Sequence, residues 1–539
     1  MPHSDYLPEM MGTLTCDPLG AFEAGSFASF TLTYTAGHFG IDDTGSLRLV
    51  HRFASDQGAL QFTDPKAPNY VTVEASNNAV LELRYDTKGN LRPWDKTLYI
   101  KVVNGYLTEG DRIVIRLGDT RQGSPGLRLQ TFCEPTFEFR MVADCIATCD
   151  YVELPDCPAI AIVPGPPAMW KAVTPTRVRA GDPFRLSIKA EDRWGNPTDR
   201  AAGTLLRIEP DGAVQGLPEA VTMPKDRRAL VIDDLSCASE EIVRIRVLDG
   251  DGDLLAESNP ISVAPSDDST VTFWGDIHGQ SEETIGTNSA REYFEFARDL
   301  AFCDVAAHQG NDFQITREFW KQLNDITADM YEPGRFVTLP GYEWSGNTAL
   351  GGDRNVFFER EGETIRRSSH ALVPDRSDLD TDCLDAKALL EAMRHEDAVV
   401  CAHVGGRYAD IRMAHDGRVE HTVEVHSAWG TFEWILEDAF DMGYRVGVMC
   451  NSDGHKGRPG ASYPGDAIFG AYGGLTCFQM PELTRQAVFD CLRARRHYGT
   501  TGARIDLLKV VQTEGGMQVF AADPALGVAK SVVRDFARL

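Results

Sequence analysis

The sequence predicts a multidomain protein in which all-β segments precede an α/β region. The chain has 539 residues, which is too long for a single hydrophobic core. Its first half alternates apolar and polar residues in short runs separated by Gly, Pro, Asn and Asp, the pattern of half-buried strands. From Thr270 onward, short apolar runs alternate with amphipathic helical patterns. This alternation predicts repeated βα units that form a parallel sheet or barrel with the helices outside.

The first predicted domain covers residues 1–155 and is expected to be a β-sandwich. Its strand-like runs are rich in β-branched and aromatic residues, as in Ser29–Thr35, Ala79–Tyr85, Thr97–Val103 and Arg112–Leu117. A Pro-rich stretch begins at Pro155 and is interpreted as a linker or a rigid domain edge.

The second predicted domain covers residues 156–267 and is expected to be a small immunoglobulin-like module. Its strands are predicted at Phe184–Ala190, Thr204–Ile208 and Ile242–Leu248. Neither β segment clusters the residue types that bind metals. Both are therefore expected to act as scaffold, lid or oligomer contact.

The third predicted domain, residues 268–505, contains the alternating strands and helices. Strands are predicted at Val271–Trp274, Phe302–Ala307, Phe336–Leu339, Ala398–Ala402, Val423–Val425 and Arg445–Met449. Helices are predicted at Ala290–Leu300 after the cap Ser289, from the cap Thr316 to about Asp329, at Asp385–His395, from the cap Thr431 to Met442, and at Glu482–Arg495. The irregular stretch 346–384 is expected to form a loop on the substrate side. Residues 506–539 are expected to add closing strands.

The composition excludes several classes of protein. The net charge of −27 argues against a nucleic-acid binder and against docking on anionic membranes. We find no apolar run long enough for a transmembrane helix and no signal-peptide pattern, and the 12 cysteines form no CxxC pair. The expected location is cytoplasmic, and the expected partner is a small-molecule substrate. Formation of a homo-oligomer stays open.

Histidines concentrate in the second half of the chain. Ten of the 13 histidines lie between His278 and His497. Histidines and carboxylates recur where apolar runs end, in the segments Asp276-Ile-His278, Ala307-His308, Gly341-Tyr-Glu343, Ala402-His403, Glu424-Val-His426 and Asp453-Gly-His455. Imidazole and carboxylate are the usual ligands of Zn, Mn and Fe. Parallel βα folds build their sites after strand ends, so these groups predict one polynuclear metal site.

Each candidate residue has an expected role. The metal ligands are expected to be His278, His308, Glu343, His403, His426, Asp453 and His455, and the catalytic groups Asp453, His455 and His278. Asp276 and Gln280 share a strand face with His278, so each is expected either to ligate metal or to support a ligand. Arg354 and Arg407 lie near the motifs and are expected to bind an anionic substrate.

The ordered set of motifs, over roughly residues 270–505, resembles the PHP (polymerase and histidinol phosphatase) superfamily of metal hydrolases. It is most similar to a large, little-characterised branch with a Gly-Asp-Leu-His type first motif and a β-rich N-terminal region. The resemblance implies a distorted (βα)7 barrel, two or three Zn, Mn or Fe ions, and hydrolysis mostly of phosphoesters. Gln280 departs from the His-x-His first motif of that superfamily, which leaves the number of ions open.

The function expected from these observations is metal-dependent hydrolysis by a metal-bound hydroxide, with a phosphoester as the favoured substrate. Two alternatives stay open. The same centre could hydrolyse an amide, a lactone or an organophosphate triester, or the region could bind metal and partners without catalysis.

Overall fold

The structure is a computed structural model that describes residues 5–466, 471–507, 509–513 and 516–520. The chain forms two compact units. The first extends to Gly165 and takes in two short later segments, Ile285–Asn288 and one that begins at Gly465. The second contains Pro166–Thr284, Ser289–Pro464 and the described residues from 471 onward.

The first unit is built from strands. They are β1 (Gly12–Asp17), β2 (Ala21–Glu23), β3 (Phe27–Ala28), β4 (Phe30–Ala36), β5 (Ser46–His51), β6 (Val71–Ala75), β7 (Val80–Asp86), β8 (Lys96–Asn104), β9 (Arg112–Leu117), β10 (Leu127–Arg128), β11 (Glu134–Glu138), β12 (Arg140–Asp144), β13 (Val152–Glu153) and β14 (Ala159–Val163). The two larger sheets have the orders β1-β4-β9-β6 and β13-β12-β5-β8-β7. On β4, Phe30, Leu32 and Tyr34 are buried and alternate with partly exposed threonines, which explains the period of two in the sequence.

The expected domain boundary at residue 155 is wrong. Strand β14 is hydrogen-bonded to β11 and, in parallel, to β2, so it belongs to the first unit. Ile160 and Ile162 alternate with less buried residues on this strand and pack inside. The Pro-rich stretch therefore contains a strand between Pro158 and Pro164, which its proline content concealed.

The second unit begins with ten strands. They are β15 (Met169–Val173), β16 (Arg177–Arg179), β17 (Phe184–Glu191), β18 (Leu205–Pro210), β19 (Ala220–Thr222), β20 (Ala229–Leu235), β21 (Ile242–Val243), β22 (Ile245–Leu248), β23 (Leu254–Glu257) and β24 (Ile261–Ala264). Their sheets have the orders β15-β17-β20, β16-β24-β21 and β19-β18-β22-β23. Their inward residues, such as Leu186, Ile188, Leu206 and Val247, share one core.

The same unit continues with mixed strands and helices. The strands are β25 (Val271–Asp276), β26 (Val305–Ala307), β27 (Val337–Leu339), β28 (Gly341–Trp344), β29 (Arg354–Phe358), β30 (Ala398–Ala402), β31 (Glu420–Ser427), β32 (Gly430–Thr431), β33 (Gly447–Cys450), β34 (Leu475–Met480), β35 (His497–Thr500), β36 (Lys509–Thr513) and β37 (Gly516–Phe520). The α-helices are α1 (Ala290–Glu295), α2 (Arg317–Met330), α3 (Ala386–Met393), α4 (Glu433–Asp441) and α5 (Arg485–Arg493), and a π-helical segment, Phe296–Leu300, continues α1.

The expected (βα)7 barrel is wrong. The strands from β25 to β35 form two separate sheets, β27-β26-β25-β34-β35 and β28-β29-β30-β31-β32, with β33 beside β31. Both sheets are mixed, because β34 is antiparallel to β25, and β29 is antiparallel to β28 and β30. Strands make up 36% of the structure and helices 13%, whereas a ring of βα units requires a crossover helix after each strand. The connection between β28 and β29 contains no α-helix. A hairpin therefore forms where a parallel unit was expected.

Most of the predicted helix caps are confirmed. Ser289 forms a capping box with Glu292, and Thr316 accepts a hydrogen bond from the Phe319 amide at the start of α2. Thr431 does not cap α4, because it lies in the short strand β32. Of the closing strands expected over 506–539, β36 and β37 form an antiparallel pair, and residues 521–539 lie outside the described residues. Within the described part of the chain, each helix is too short or too polar to cross a membrane.

Candidate metal centre

The two Asp-x-His segments are joined by backbone hydrogen bonds. The Gln280 amide donates to the Gly454 carbonyl at 2.8 Å, and Gly279 and Gly454 form a parallel bridge. The Ser452 hydroxyl donates to the His278 carbonyl at 3.1 Å. This pairing brings together the segments that follow β25 and β33, although they are far apart in the sequence.

Asp276 supports this junction and is not placed to bind metal. Its carboxylate accepts hydrogen bonds from the amides of His278 (3.3 Å), Ser452 (3.0 Å) and Gly460 (2.7 Å). The side chain is fully buried, which raises its pKa, and these amide dipoles offset part of that cost. Asp276 therefore positions the two segments that carry the imidazole and the second carboxylate.

Two overlapping groups of buried side chains could hold a metal ion. One contains His278, His403 and Asp453, and the other contains Glu343, Asp353 and His403. Within each group the donor atoms lie within 4.8 Å of one another. All five side chains are buried, and His403 belongs to both groups. The arrangement matches the nitrogen and oxygen donors that first-row divalent ions prefer.

Glu424 orients His278. Both of its carboxylate oxygens lie 3.0 Å from His278 Nδ1, and the Asn451 amide donates to the same carboxylate at 2.7 Å. The other ring nitrogen, Nε2, therefore points at Asp453, whose Oδ1 is 3.3 Å away. A carboxylate on the far side of an imidazole fixes the tautomer and raises the basicity of the nitrogen that faces the metal.

His403 is held as a neutral imidazole. Its ring is buried, and neither Nδ1 nor Nε2 has a hydrogen-bond partner among the described residues. Burial and the neighbouring His278, whose ring centroid is 4.4 Å away, lower the pKa of His403 to about 3. A neutral imidazole keeps a lone pair available, and an unpartnered buried nitrogen is costly unless something binds it.

The charges of the cluster are unevenly balanced. Burial opposes ionisation of His278, but Asp453 and Glu424 outweigh it and raise the pKa of His278 well above its usual value. Burial also raises the pKa of Asp453 to about 7 and, together with the repulsion from Glu343, raises that of Asp353. Burial acts on Glu343 in the same direction, but His278, His403 and Arg407 reverse it and lower its pKa. Several carboxylates thus compete for few positive charges.

The backbone at Gly405 leaves space where the donors converge. A Cβ atom at this position would lie 3.2 Å from Asp453 Oδ2, 3.3 Å from His403 Nε2 and 3.4 Å from Asp353 Oδ2. These three atoms represent both donor groups. The missing side chain therefore leaves a cradle at the junction of the two groups, next to the exposed Gly406.

Arg407 is bound to the acids of the cluster. Its Nε lies 2.5 Å from Asp353 Oδ1 and its Nη2 lies 2.9 Å from Glu343 Oε1, and the backbone amide of Arg407 also donates to Asp353. The structure therefore shows Arg407 as a counter-charge to Glu343 and Asp353. Its expected contact with an anionic substrate stays a prediction.

Gln280 supports Glu343. Its amide nitrogen donates to Glu343 Oε2 at 3.2 Å, and its amide oxygen accepts from the Thr284 hydroxyl at 2.9 Å. With its oxygen engaged in this way, Gln280 fixes the Glu343 carboxylate and lies outside both donor groups.

Three expected ligands lie outside the two donor groups. His308 Nε2 accepts a hydrogen bond from the Ser281 amide and lies 2.8 Å from the Ser281 hydroxyl oxygen. His426 contacts the Thr431 hydroxyl through Nδ1 and the Tyr472 carbonyl through Nε2. His455 belongs to neither group, and its ring packs at the edge of Trp429.

Arg354 is misplaced for substrate binding. The side chain is fully buried and forms an ion pair with Glu420, which is also fully buried, at 2.9 Å. It also donates to the carbonyls of Gly351, Gly352 and Ala414. The expectation that Arg354 recognises substrate is therefore wrong, since its guanidinium joins β29, β31 and the loops around them.

Two functional candidates, Asp353 and Glu424, are not among the ligands expected from the sequence. Asp353 immediately precedes β29, inside the stretch 346–384 that was interpreted as one irregular loop. The apolar run Val356-Phe357-Phe358 could have revealed the strand and hence an acid at its start. Glu424 was noted in its motif, but the sequence alone does not show that it faces His278.

The matching family carries no assigned activity. A family model described as Protein of unknown function (DUF3604) matches residues 256–405. An uncharacterized protein of Chlamydia pneumoniae is 22% identical over 362 residues, which cover 62% of this chain and 56% of the relative. An uncharacterized protein of Chlamydia muridarum is 21% identical over 427 residues, which cover 74% of this chain and 66% of the relative. The chain thus spans between about half and two thirds of the length of the curated relatives it matches.

Similar solved structures include bacterial adhesins. The Escherichia coli adhesin FdeC is 13% identical with a TM-score of 0.22, and the match covers 52% of this chain and 71% of that chain. The Yersinia pseudotuberculosis adhesin InvE is 14% identical with a TM-score of 0.17, and the match covers 65% and 91%. At these scores neither structure is evidence of a shared fold or function.

The expected resemblance to the PHP superfamily is wrong. The family model that matches is a different one, and the two mixed sheets replace the barrel that the superfamily implies. An acid and an imidazole two residues apart lie on the same face of any strand, so an Asp-x-His motif alone does not identify a family. The candidate centre therefore stands on its own geometry.

Proposed function

We propose that this chain is a metal-dependent hydrolase whose centre is formed by His278, His403, Asp453, Glu343 and Asp353. The observation that carries the proposal is the convergence of buried carboxylates on two imidazoles whose Nε2 atoms lack hydrogen-bond partners among the described residues. Burying several carboxylates together is unfavourable unless cations compensate them. Up to two divalent ions, such as Zn, Mn or Fe, would supply that compensation, and the carboxylates would complete the coordination, because a neutral imidazole nitrogen binds only one ion.

The residues around the donors fit hydrolysis. A divalent ion held there would polarise a substrate carbonyl or phosphoryl oxygen and lower the pKa of water. Glu424 holds His278 with Nε2 toward the centre. In the metal-free protein burial raises the pKa of Asp453 to about 7, so an ion that binds there near neutral pH would displace a proton from this carboxyl group. Arg407 is partly exposed and reaches Glu343, which places a fixed positive charge at the edge of the centre.

The substrate bond is left to experiment. A phosphoester was favoured by the superfamily resemblance, which no longer supports it, and both expected anion-binding arginines are ion-paired. We therefore propose hydrolysis as the reaction class and test phosphomonoesters, diesters, triesters, carboxyl esters and lactones together.

The test combines metal analysis with this substrate panel. The wild type, purified without chelator and supplied with Mn or Zn, should bind up to two ions per chain and hydrolyse one class of ester. His403→Ala removes the one donor that belongs to both groups and should lose at least one ion and all turnover, whereas Asp353→Asn keeps the group of His278, His403 and Asp453 and should lose at most one ion. His395→Ala is the matched control, because His395 is exposed and lies outside both groups.

Two outcomes would contradict the proposal in different ways. If the wild type bound less than one ion per chain and gained none when metal was added, the proposal of a metal centre would be refuted. Stoichiometric metal that His403→Ala abolishes, with no turnover of any substrate class, would leave a metal-binding protein without catalysis.

A further inference from the structure

A cavity with a largely apolar wall and several charged side chains lies in the same unit, apart from the metal centre. It has a volume of about 300 Å³ and is lined by β15, β17, the segments Gly460–Tyr463 and Tyr472–Gly473, and residues near Arg504. None of the residues in the two donor groups lines it. Its size suits a small molecule at the lower end of ordinary ligand sites.

Two lysines lie opposite each other on neighbouring strands of the cavity wall. Lys171 on β15 is the direct cross-strand partner of Lys189 on β17, and both line the cavity. Like charges in directly opposite positions destabilise an antiparallel pair. Glu191 forms an ion pair with Lys189 at 2.8 Å and is the acidic residue among those lining the cavity. It cannot neutralise both lysines.

A third cation adds to the imbalance. Arg504 also lines the cavity, and its Nη2 donates to the carbonyls of Ala301 (3.1 Å) and Phe302 (2.8 Å). Phe302 has a φ of 58°, an uncommon conformation for a bulky residue. Its ring centroid lies 5.5 Å from Lys189 Nζ. Strained backbone persists where the surrounding structure over-determines it, often at ligand sites.

Burial makes the positive charges costly. Lys189 is only 3% exposed, and desolvation lowers its pKa despite Glu191, while Arg458 and Lys171 lower it further. Burial also lowers the pKa of Arg504. The chain carries a net charge of −27, so a local excess of cations around one cavity runs against its general composition. An anion in the cavity would relieve the repulsion.

We propose that this cavity binds a small organic anion, with its charged group at Lys171, Lys189 and Arg504 and its compact apolar part against Phe302, Val173 and Leu475. The apolar wall and the limited volume select for a phosphate or carboxylate carried on a small ring or short chain. Tyr463 and Ser462 supply hydroxyl groups for the polar end. This site is independent of the proposed hydrolase activity.

Calorimetric titration with phenyl phosphate tests the site. The wild type should bind it, with affinity that falls as salt is added, and should not bind phenol, which has the ring without the phosphate. Lys171→Gln should weaken binding roughly tenfold, which corresponds to about 1.4 kcal/mol, and Lys171→Glu should abolish it. Lys171 is exposed, so neither change is expected to disturb folding. Lys101→Gln, at an exposed strand lysine of the first unit, is the matched control and should bind as the wild type does.

His403→Ala separates this cavity from the metal centre, because a phosphate held by bound metal would be lost in that variant. The proposal requires that His403→Ala bind phenyl phosphate as the wild type does. It is overturned if Lys171→Gln binds with wild-type affinity, if binding is lost in His403→Ala but kept in Lys171→Glu, or if the wild type shows no binding at millimolar phenyl phosphate.

Discussion

Replacement of Gly405 by alanine tests whether the two donor groups enclose a metal. The added Cβ would lie 3.2–3.4 Å from Asp453 Oδ2, His403 Nε2 and Asp353 Oδ2. That spacing is tight, but it requires shifts of only a few tenths of an ångström. An ion bonded to those atoms at about 2.0–2.2 Å would occupy the space that the methyl group fills. The substitution therefore competes with metal while it keeps every ligand.

The expected magnitudes differ between the metal-free and the metal-bound protein. Without metal, the tight contacts are offset by the lower entropy of the unfolded chain, which is worth about 0.4–1 kcal/mol for Gly→Ala. With metal at a hundredfold excess over Kd, the wild type should gain about 2.7 kcal/mol. Loss of a supporting group weakens metal affinity by roughly 10- to 100-fold, and direct obstruction should reach the upper value. The same metal concentration then stabilises Gly405→Ala by only about 0.4 kcal/mol.

Thermal denaturation with and without added Zn or Mn, together with metal analysis, measures this difference. Gly406→Ala is the matched control, because a Cβ at Gly406 meets no atom within 4 Å. We expect a metal-dependent rise in Tm for the wild type and Gly406→Ala, and almost none for Gly405→Ala. Equal metal content and equal shifts in Gly405→Ala and Gly406→Ala would refute the assignment of the centre.

Three further substitutions probe the supporting structure. Glu424→Gln removes the carboxylate that holds the imidazole of the centre and should weaken metal affinity roughly 10- to 100-fold in a chelator competition; unchanged affinity would exclude an orienting role. Arg354→Met removes the guanidinium from the fully buried Glu420 and leaves it, among the described residues, only the contact with His415 Nδ1, so urea denaturation should show a loss of roughly 3–5 kcal/mol, and a loss below about 1 kcal/mol would contradict the buried ion pair. Burial lowers the pKa of His51 from 6.5 to about 3. Below pH 6.5 the unfolded chain therefore binds a proton at His51 that the folded chain does not bind. The stability that the neutral, buried His51 provides is complete above pH 6.5 and is lost as the pH falls toward 3. The free energy of unfolding should fall by roughly 1.4 kcal/mol per pH unit from this group, and His51→Leu should flatten the slope; an unaltered slope would assign the acid sensitivity to other groups.

More of the candidate centre than of the surrounding fold could be predicted from the sequence. Four of its five donors, His278, His403, Asp453 and Glu343, were named from the sequence because each follows an apolar run at a strand end. Asp353 was missed because it precedes its strand, so the same rule does not apply to it. The end of a strand is a local feature that a sequence pattern can reveal. Which strand ends meet in space depends on the fold, and the local pattern does not contain that information.

The error about the barrel has the same physical origin. The alternation of strands and helices is visible in the sequence, but the direction in which neighbouring strands pair depends on the connection between them. Strand β29 returns beside β28 as a hairpin, and β34 closes its sheet antiparallel to β25. Either arrangement buries the same apolar residues, so hydrophobic periodicity does not distinguish them.

The electrostatics of the centre link its occupancy to the stability of the second unit. Glu343, Asp353, Glu424 and Asp453 are all at most 3% exposed, and Arg407 is the nearby side chain with a permanent positive charge that contacts two of them. Without metal, the negative charge of these carboxylates is compensated by Arg407 and by His278, whose pKa is raised. This compensation is weaker than that of a divalent ion at the same place. The ligands are already held by Asp276, Glu424 and Gln280, so metal binding requires little rearrangement and gains most of its free energy from relieving this repulsion. Removing metal should therefore lower the unfolding temperature of the second unit and leave the first unit unchanged.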